Sequence, residues 1–409
     1  MSTTPAAKRF RRGTHRIVPP EETLARVQGL LPIMGITRIA DVAGLDTIGI
    51  PVALAIRPNA RSLSVSQGKG ADRASARASA LMESVEQYHA EHIDRPLRLA
   101  TRNELRFSHR VADLSGLPRL AGSVFHDNLR TLWIEGQEML HGGSMWVPYE
   151  MVHMDYTLPL PSGSGSFLMS SNGLASGNHP LEALGHALAE LIERDATALF
   201  QLAGEAQKEA RVDLSTVHDP LCRSLLDKYE EAGVEVAVWE VTSDIGVPVF
   251  SCVIVDREPN PQRPIGPMGG MGCHPSRAVA LSRALTEAAQ SRLTLITGSR
   301  DDVHCHERPE GGDLDAARRA LRMLAASPPA RSFEAAPDHE DETLDDDVAW
   351  LLERLAAAGL SQVITIDLTK AAFGIPVVRV IVPGLEANHD VPGYVPGLRA
   401  RRRMEGRTR

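Results

Sequence analysis

Three times the chain sets glycine, a branched aliphatic residue, proline and valine ahead of a run rich in valine and isoleucine. The copies read Gly49-Ile50-Pro51-Val52, Gly246-Val247-Pro248-Val249 and Gly374-Ile375-Pro376-Val377, each with an aspartate shortly upstream (Asp46, Asp244, Asp367). Proline lacks the N–H that a sheet ladder uses, so it suits the first residue of a strand. The first two copies are followed by glycine-rich stretches, Ser66-Gln67-Gly68-Lys69-Gly70 and Gly269-Gly270-Met271-Gly272, and then by an amphipathic segment of helical period. Between them, Trp146-Val147-Pro148-Tyr149 and another Gly/Ser stretch precede a further helix of the same kind. This weak internal duplication predicts an α/β (α+β) fold of mixed sheets with packed amphipathic helices, built from repeated strand–loop–helix units.

The three helices share an unusual habit. On the first, Ser79, Glu83 and Glu86 fall within roughly 60° of arc; on the second, Glu182, His186, Glu190 and Glu193 fall within roughly 80°. On the third, Arg283, Glu287 and Gln290 share a face. Like charges stacked at this spacing destabilise a bare helix, so the pattern predicts cations at these faces. Hard oxygen ligands without a thiol set point to Mg²⁺, which commonly arrives with nucleotide phosphates. The local alternative is an ion pair between Glu190 and Arg194, with Glu193 simply solvated.

Each helix also follows a turn-rich stretch. Lys69, between two glycines, is placed to reach a phosphate, although the GxxxxGK[ST] loop of P-loop enzymes is absent. Asn172 to Pro180 would expose backbone N–H groups at the second helix N-terminus, where an anion is stabilised. On the third helix Arg283 is the candidate phosphate contact. Cys273-His274 and His304-Cys305-His306 lack the CxxC or HxxxH spacing of a zinc site.

Composition limits the remaining classes. A formal net charge of -8 over 409 residues argues against a general nucleic-acid binder. No apolar run reaches the roughly 20 residues that a membrane span needs. Four scattered cysteines (Cys222, Cys252, Cys273, Cys305) fit a reducing cytoplasm. Met1 to Arg16 is basic and reads as a short tail. The C-terminal run, with Arg399, Arg401, Arg402, Arg403, Arg407 and Arg409, reads as a solvated tail or as a contact for an acidic partner. The stretch 307–347 is the least structured: a helix over Leu314 to Ala325, then an acidic run, Asp338 to Asp347, opening another helix whose dipole favours it.

Taken in register, Ser79-x3-Glu83-x2-Glu86, Glu182-x7-Glu190-x2-Glu193-Arg194 and Glu287-x2-Gln290 resemble the ATP-binding signature of the YcaO family. Gly13-Thr14-His15-Arg16, Gly35-Ile36-Thr37-Arg38 and Val382-Pro383-Gly384-Leu385-Glu386 match it too. The likeness spans nearly the whole chain, weakest at 307–347, and is greatest to YcaO proteins that act with a TfuA partner. It implies a YcaO-type fold, with residues 1–62 an N-terminal tail and opening strands, 63–390 the ATP-binding catalytic domain and 391–409 a basic tail.

The resemblance also implies roles. Glu83, Glu86, Glu190 and Glu193 would hold Mg²⁺. Lys69, Ser79, Asn178, Glu182, Arg194, Glu287 and Gln290 would join Arg283 as contacts to ATP. The family activates a peptide-bond amide: a nucleophile adds to the carbonyl carbon, and the oxygen takes the γ-phosphoryl group and leaves as phosphate. A Cys, Ser or Thr side chain as nucleophile gives an azoline, and sulfide gives a thioamide. Azoline-forming members often end in a PxPxP tail. Here the end is Val391-Pro392-Gly393-Tyr394-Val395-Pro396-Gly397, which favours thioamidation of a ribosomal peptide or protein, with a TfuA-like partner and a sulfide donor. The alternatives are a cyclodehydratase and a non-catalytic nucleotide-binding scaffold; a homodimer is compatible with each.

Overall fold

The computed structural model describes residues 5–202, 209–299, 312–387 and 393–405. Two short helices, α1 (Pro20–Gln28) and α2 (Leu31–Met34), come first. They are followed by β1 (Arg38–Asp41), β2 (Val52–Ile56), β3 (Val65–Lys69) and α3 (Arg73–Glu91). The middle section holds β4 (Leu97–Ala100), α4 (Arg102–Leu105), β5 (Thr131–Glu138), β6 (Ser144–Pro148), β7 (Leu174–Ser176) and α5 (Pro180–Gln201). Then come β8 (Val212–Asp213), α6 (Pro220–Glu231), β9 (Val234–Glu240), β10 (Val249–Asp256), β11 (Met268–Cys273) and α7 (Arg277–Thr297). The last section is α8 (Gly312–Ala326), β12 (Arg331–Ser332), α9 (Leu344–Ala357), β13 (Ile364–Asp367), β14 (Val377–Ile381) and α10 (Leu398–Glu405).

Each Gly-x-Pro-Val segment opens the middle strand of an antiparallel ribbon: β1-β2-β3, β9-β10-β11 and β13-β14-β7. A helix follows each third strand, namely α3, α7 and α5. The third ribbon is assembled from two distant parts of the chain and lies within a six-stranded sheet, β4-β5-β13-β14-β7, with β6 paired to β5. One contact repeats in all three copies. The proline carbonyl accepts from the residue that ends the ribbon: Pro51 from Gly70 at 3.3 Å, Pro248 from His274 at 3.4 Å and Pro376 from Gly177 at 3.1 Å. The helix N-caps (Asp72, Ser276 and His179) then stand at the same offset. The Asp72 carboxylate accepts from Ser75 N at 2.8 Å, meeting one of the donors that a helix start leaves open.

The glycine-rich stretches are not loops. Ser66–Lys69 lies in β3 and Gly269–Gly272 in β11. A Cβ on Gly68 would come within 2.0 Å of Ala80 N on α3, and one on Gly270 within 2.2 Å of Ala288 N on α7. The glycines let each helix backbone press onto its strand, so the unit is ribbon–helix rather than strand–loop–helix.

The core divides around β14. Val377 and Ile381 pack with Leu81 and Val85 of α3, Trp133 and Ile366. Val378 and Val380 pack with Leu184, Leu188 and Ile192 of α5 and Leu351 of α9. A third cluster joins Leu225 and Tyr229 of α6 to Phe250 and to Leu281 and Leu285 of α7.

Neither terminal segment is a solvated tail over its described part. Lys8 is buried, with its ammonium 2.7 Å from Asp347 and from the Asp341 carbonyl. The backbone of Ala6 and Lys8 bonds to Leu344 and Glu342. At the other end the buried Glu386 carboxylate accepts from Tyr394 Oη at 2.7 Å and from Gly397 N and Ala400 N at 2.8 Å each. Arg399 pairs with Asp195 and Asp244. These partners lie far away in sequence, which is why basic composition alone read as solvated. The acidic run does open a helix: Asp345, Asp346 and Asp347 occupy the first turn of α9, capped by Thr343. His304-Cys305-His306, the adjoining stretch 307–311, Val391-Pro392, Arg407 and Arg409 lie outside the described residues.

Candidate functional site

The acid-bearing faces of α3, α5 and α7 meet around a single cavity of about 580 Å³. All twelve residues singled out from the sequence line it: Lys69, Ser79, Glu83, Glu86, Asn178, Glu182, Glu190, Glu193, Arg194, Arg283, Glu287 and Gln290. The ribbon repeat explains the convergence. Glu83, Glu190 and Glu287 occupy equivalent helix positions, and each accepts a backbone N–H from its own ribbon: Gln67 at 3.1 Å, Gly173 at 3.0 Å and Met271 at 3.4 Å. The ribbon ends reach across to another unit's helix. Ser176 donates to Glu86 from its N–H at 2.8 Å and its hydroxyl at 2.7 Å, and Lys69 pairs with Glu287.

Charge on the α3 and α5 side is poorly compensated. Burial pushes the Glu86 carboxyl up to about 8, and the charges of Glu83 and Glu190 add to this against the Ser176 hydrogen bonds. Burial also raises Glu190 and Glu193, with Arg194 opposing in each case. Arg194 lies 3.8 Å from Glu190 and 3.4 Å from Glu193, so the local ion pair forms but one guanidinium is shared by two carboxylates. Glu287 differs. Burial pushes it up, yet Lys69 and then Arg194 outweigh that and hold it below the usual carboxylate range. His186, far below its ordinary value through burial and the nearby Arg283 and Arg16, is neutral.

The opposite side offers cations. Arg283 makes no ion pair among the described residues, and its Nε is buried without a partner. Arg16 also lines the cavity, with the Glu182 and Arg283 charges beside it. Arg16 belongs to the Gly13–Arg16 segment, which matches the family pattern without an assigned role and lines the cavity next to the stretch held by the contacts of Ala6 and Lys8. Glu182 is largely committed to the fold, accepting from Ile17 N at 2.5 Å and Asn178 N at 2.8 Å. Gln67, Gln87, Thr14 and Thr294 complete a polar lining that the sequence did not reveal.

Cys273 does not join His274 in a metal site. Burial holds its thiol well above the ordinary range. His274 instead sits near His15 and Asp347, where Lys8 already occupies the carboxylate. The cavity is the better host for a metal. Three carboxylates raised by burial, Glu86, Glu190 and Glu193, with Glu83 beside them, suit hard divalent cations, and Arg283, without an ion pair among the described residues, suits phosphate.

The family model described as YcaO cyclodehydratase, ATP- and Mg²⁺-binding, matches residues 67–386. The chain belongs to the YcaO family. A protein of the tfuA 3′ region of Rhizobium leguminosarum bv. trifolii is 38% identical to it over 399 residues, covering 96% of this chain and 93% of the relative. A protein of Methanothermobacter thermautotrophicus is 37% identical across 90% of this chain and 94% of its own length. The structure of YcaO from Methanopyrus kandleri, bound with AMPPCP and Mg²⁺, shares the fold with a TM-score of 0.75 at 24% identity, over 96% of this chain and 98% of that one. A heterocyclase in complex with substrate and cofactor gives 0.76 at 23% identity over 95% of this chain; this YcaO chain spans 54% of that longer one. ATP and Mg²⁺ are thus the cofactors of this YcaO chain. No helix among the described residues is long and apolar enough to cross a membrane.

Proposed function

We propose that this YcaO protein uses MgATP to phosphorylate the oxygen of a peptide-bond amide and so installs a thioamide in a ribosomal peptide or protein, in the cytoplasm and with a TfuA-like partner. The carrying observation is the polarised cavity, in which three glutamates raised by burial, Glu86, Glu190 and Glu193, lie with Glu83 opposite Arg283, which makes no ion pair among the described residues. Glu83, Glu86, Glu190 and Glu193 would hold Mg²⁺. Arg283, Arg16 and Arg194 would hold phosphate oxygens. Ser79, Asn178, Gln290 and the Lys69–Glu287 pair would contact the rest of the nucleotide, with Glu182 keeping Asn178 and Ile17 in place. Bound Mg²⁺ would neutralise charge on the phosphates during transfer.

The chemistry balances without a protein nucleophile. Hydrosulfide adds to the amide carbon, and the oxygen so charged takes the γ-phosphoryl group from ATP, releasing ADP. Loss of phosphate and of the sulfur-bound proton then leaves C=S in place of C=O. The relative from a tfuA 3′ region supports this reading. Azoline formation is the second reading, favoured by the family's cyclodehydratase description.

Mass spectrometry separates the two. Incubation with ATP, Mg²⁺, sulfide, a TfuA-like protein and a candidate peptide should release phosphate and add the mass difference between sulfur and oxygen. Loss of one water would establish the azoline reading, and an unchanged peptide without phosphate release would sink both.

A further inference from the structure

β14 carries valine or isoleucine at every position except one. Arg379 stands at its centre, 1% exposed, on the face it shares with Val377 and Ile381. Its Nη2 donates to the Ser170 carbonyl at 2.6 Å. Its Nε and Nη1 are buried with no hydrogen-bond partner, and no carboxylate pairs with it among the described residues. A buried, unpaired guanidinium is destabilising, and an apolar side chain of similar volume in its place is often neutral or better. Stability does not account for this residue.

Its position does. The segment it grips, Ser170 to Leu174, forms part of the cavity wall through Ser171 and Leu174. Val380 N, the next residue of β14, donates to the Gly173 carbonyl at 2.7 Å. Gly173 N in turn donates to Glu190 Oε2 at 3.0 Å. The turn needs glycine: φ is 77°, and a Cβ there would meet the Val380 carbonyl oxygen at 2.4 Å. The carboxylate facing Arg379 is Glu190, with the Tyr156 phenol, pushed up by burial, beside it. Glu190 is faced elsewhere by Arg194 of its own helix, Arg283 of α7 and Glu86 of α3, so Arg379 supplies the charge from the β14 side.

We propose that Arg379 is a positioning residue for Glu190: from behind the wall it fixes the Ser170–Gly173 segment whose backbone N–H aims the Glu190 carboxylate into the cavity. The inference rests on reading Glu190 as a Mg²⁺ ligand. A group that orients a metal ligand typically alters metal affinity by about 10- to 100-fold, and here its removal should leave the fold at least as stable.

The test compares wild type, Arg379→Met, Arg379→Lys, Glu190→Gln and the double variant Glu190→Gln/Arg379→Met. Mg²⁺-dependent binding of AMPPCP is read by calorimetry and stability by thermal melting. Arg379→Met should weaken Mg²⁺-dependent binding by about 10- to 100-fold with a melting temperature no lower than wild type. Arg379→Lys should keep most of the binding, and the double variant should bind no worse than Glu190→Gln alone. Wild-type binding by Arg379→Met would overturn the proposal. So would a melting temperature that falls together with binding in both Arg379 variants, or losses that multiply in the double variant. If wild type itself takes up no Mg²⁺ with the analogue, the reading of the site falls and this inference with it. Normal wild-type uptake with an unaffected Arg379→Met sinks the inference alone.

Discussion

The α5 and α7 helices hang from the same kind of ribbon, begin at the same offset and carry a glutamate at the same place, Glu190 and Glu287. Their chemistry toward the cavity is nevertheless opposite. One turn further on, α5 has Glu193 where α7 has Gln290, and one turn before, α5 has neutral His186 where α7 has Arg283. Glu287 itself is held in a pair by Lys69, whereas Glu190 and Glu193 share one arginine. With α3 following α5 in kind, the repeat makes an acidic side and a cationic side from one scaffold. Position is set by the ribbon; charge is set by two or three side chains per helix.

The largest expected effect comes from breaking the acidic side. Glu83→Gln and Glu193→Gln each remove a charge proposed to hold metal. Charge stabilisation of several kcal/mol corresponds to a loss of roughly 1000-fold or more in phosphate release. Phosphate release that survives both changes would rule out the assignment. Arg283→Met tests the cationic side: losing a charged hydrogen bond worth about 1.5–3 kcal/mol should weaken ATP by roughly 10- to 100-fold, with Mg²⁺ still required. An unchanged KM for ATP would show that phosphate does not contact α7.

The smallest effect sharpens the contrast through pH. Burial raises Glu86 to about 8, so its contribution to stability is full below the ordinary carboxylate range and is lost as pH rises through 8. Mg²⁺ with nucleotide binds the ionised form and removes the penalty. The gain in melting temperature from Mg²⁺-AMPPCP should therefore grow between pH 6 and pH 9, as checked by melting with and without ligand. A gain that is flat or shrinks would place the metal away from Glu86.

Much of this arrangement is legible in the sequence, because helical period alone brings Ser79, Glu83 and Glu86 onto one face and the proline-led strands recur in plain view. Other parts are not. Glycine in Ser66–Gly70 signals freedom of backbone or absence of a side chain, and sequence cannot tell which is used; here it is the absence, beneath Ala76 and Ala80. Arg16 stands in a segment that matches the family pattern, but its role is not legible because its place at the cavity depends on contacts distant in sequence, Lys8 with Asp347 and Ala6 with Leu344. Arg399 is hidden in the same way, since Asp195 and Asp244 lie far from it in sequence.

The stitched third ribbon has a consequence for how the molecule comes into being. The helix bearing Glu190 and Glu193 is made long before β13 and β14, the strands that complete its ribbon. On the ribosome, two helices rich in buried acid would wait for partners made much later in the chain. The ability to hold nucleotide should thus appear in one late step rather than helix by helix, and a nascent chain stopped before residue 377 would have no finished acidic side to offer.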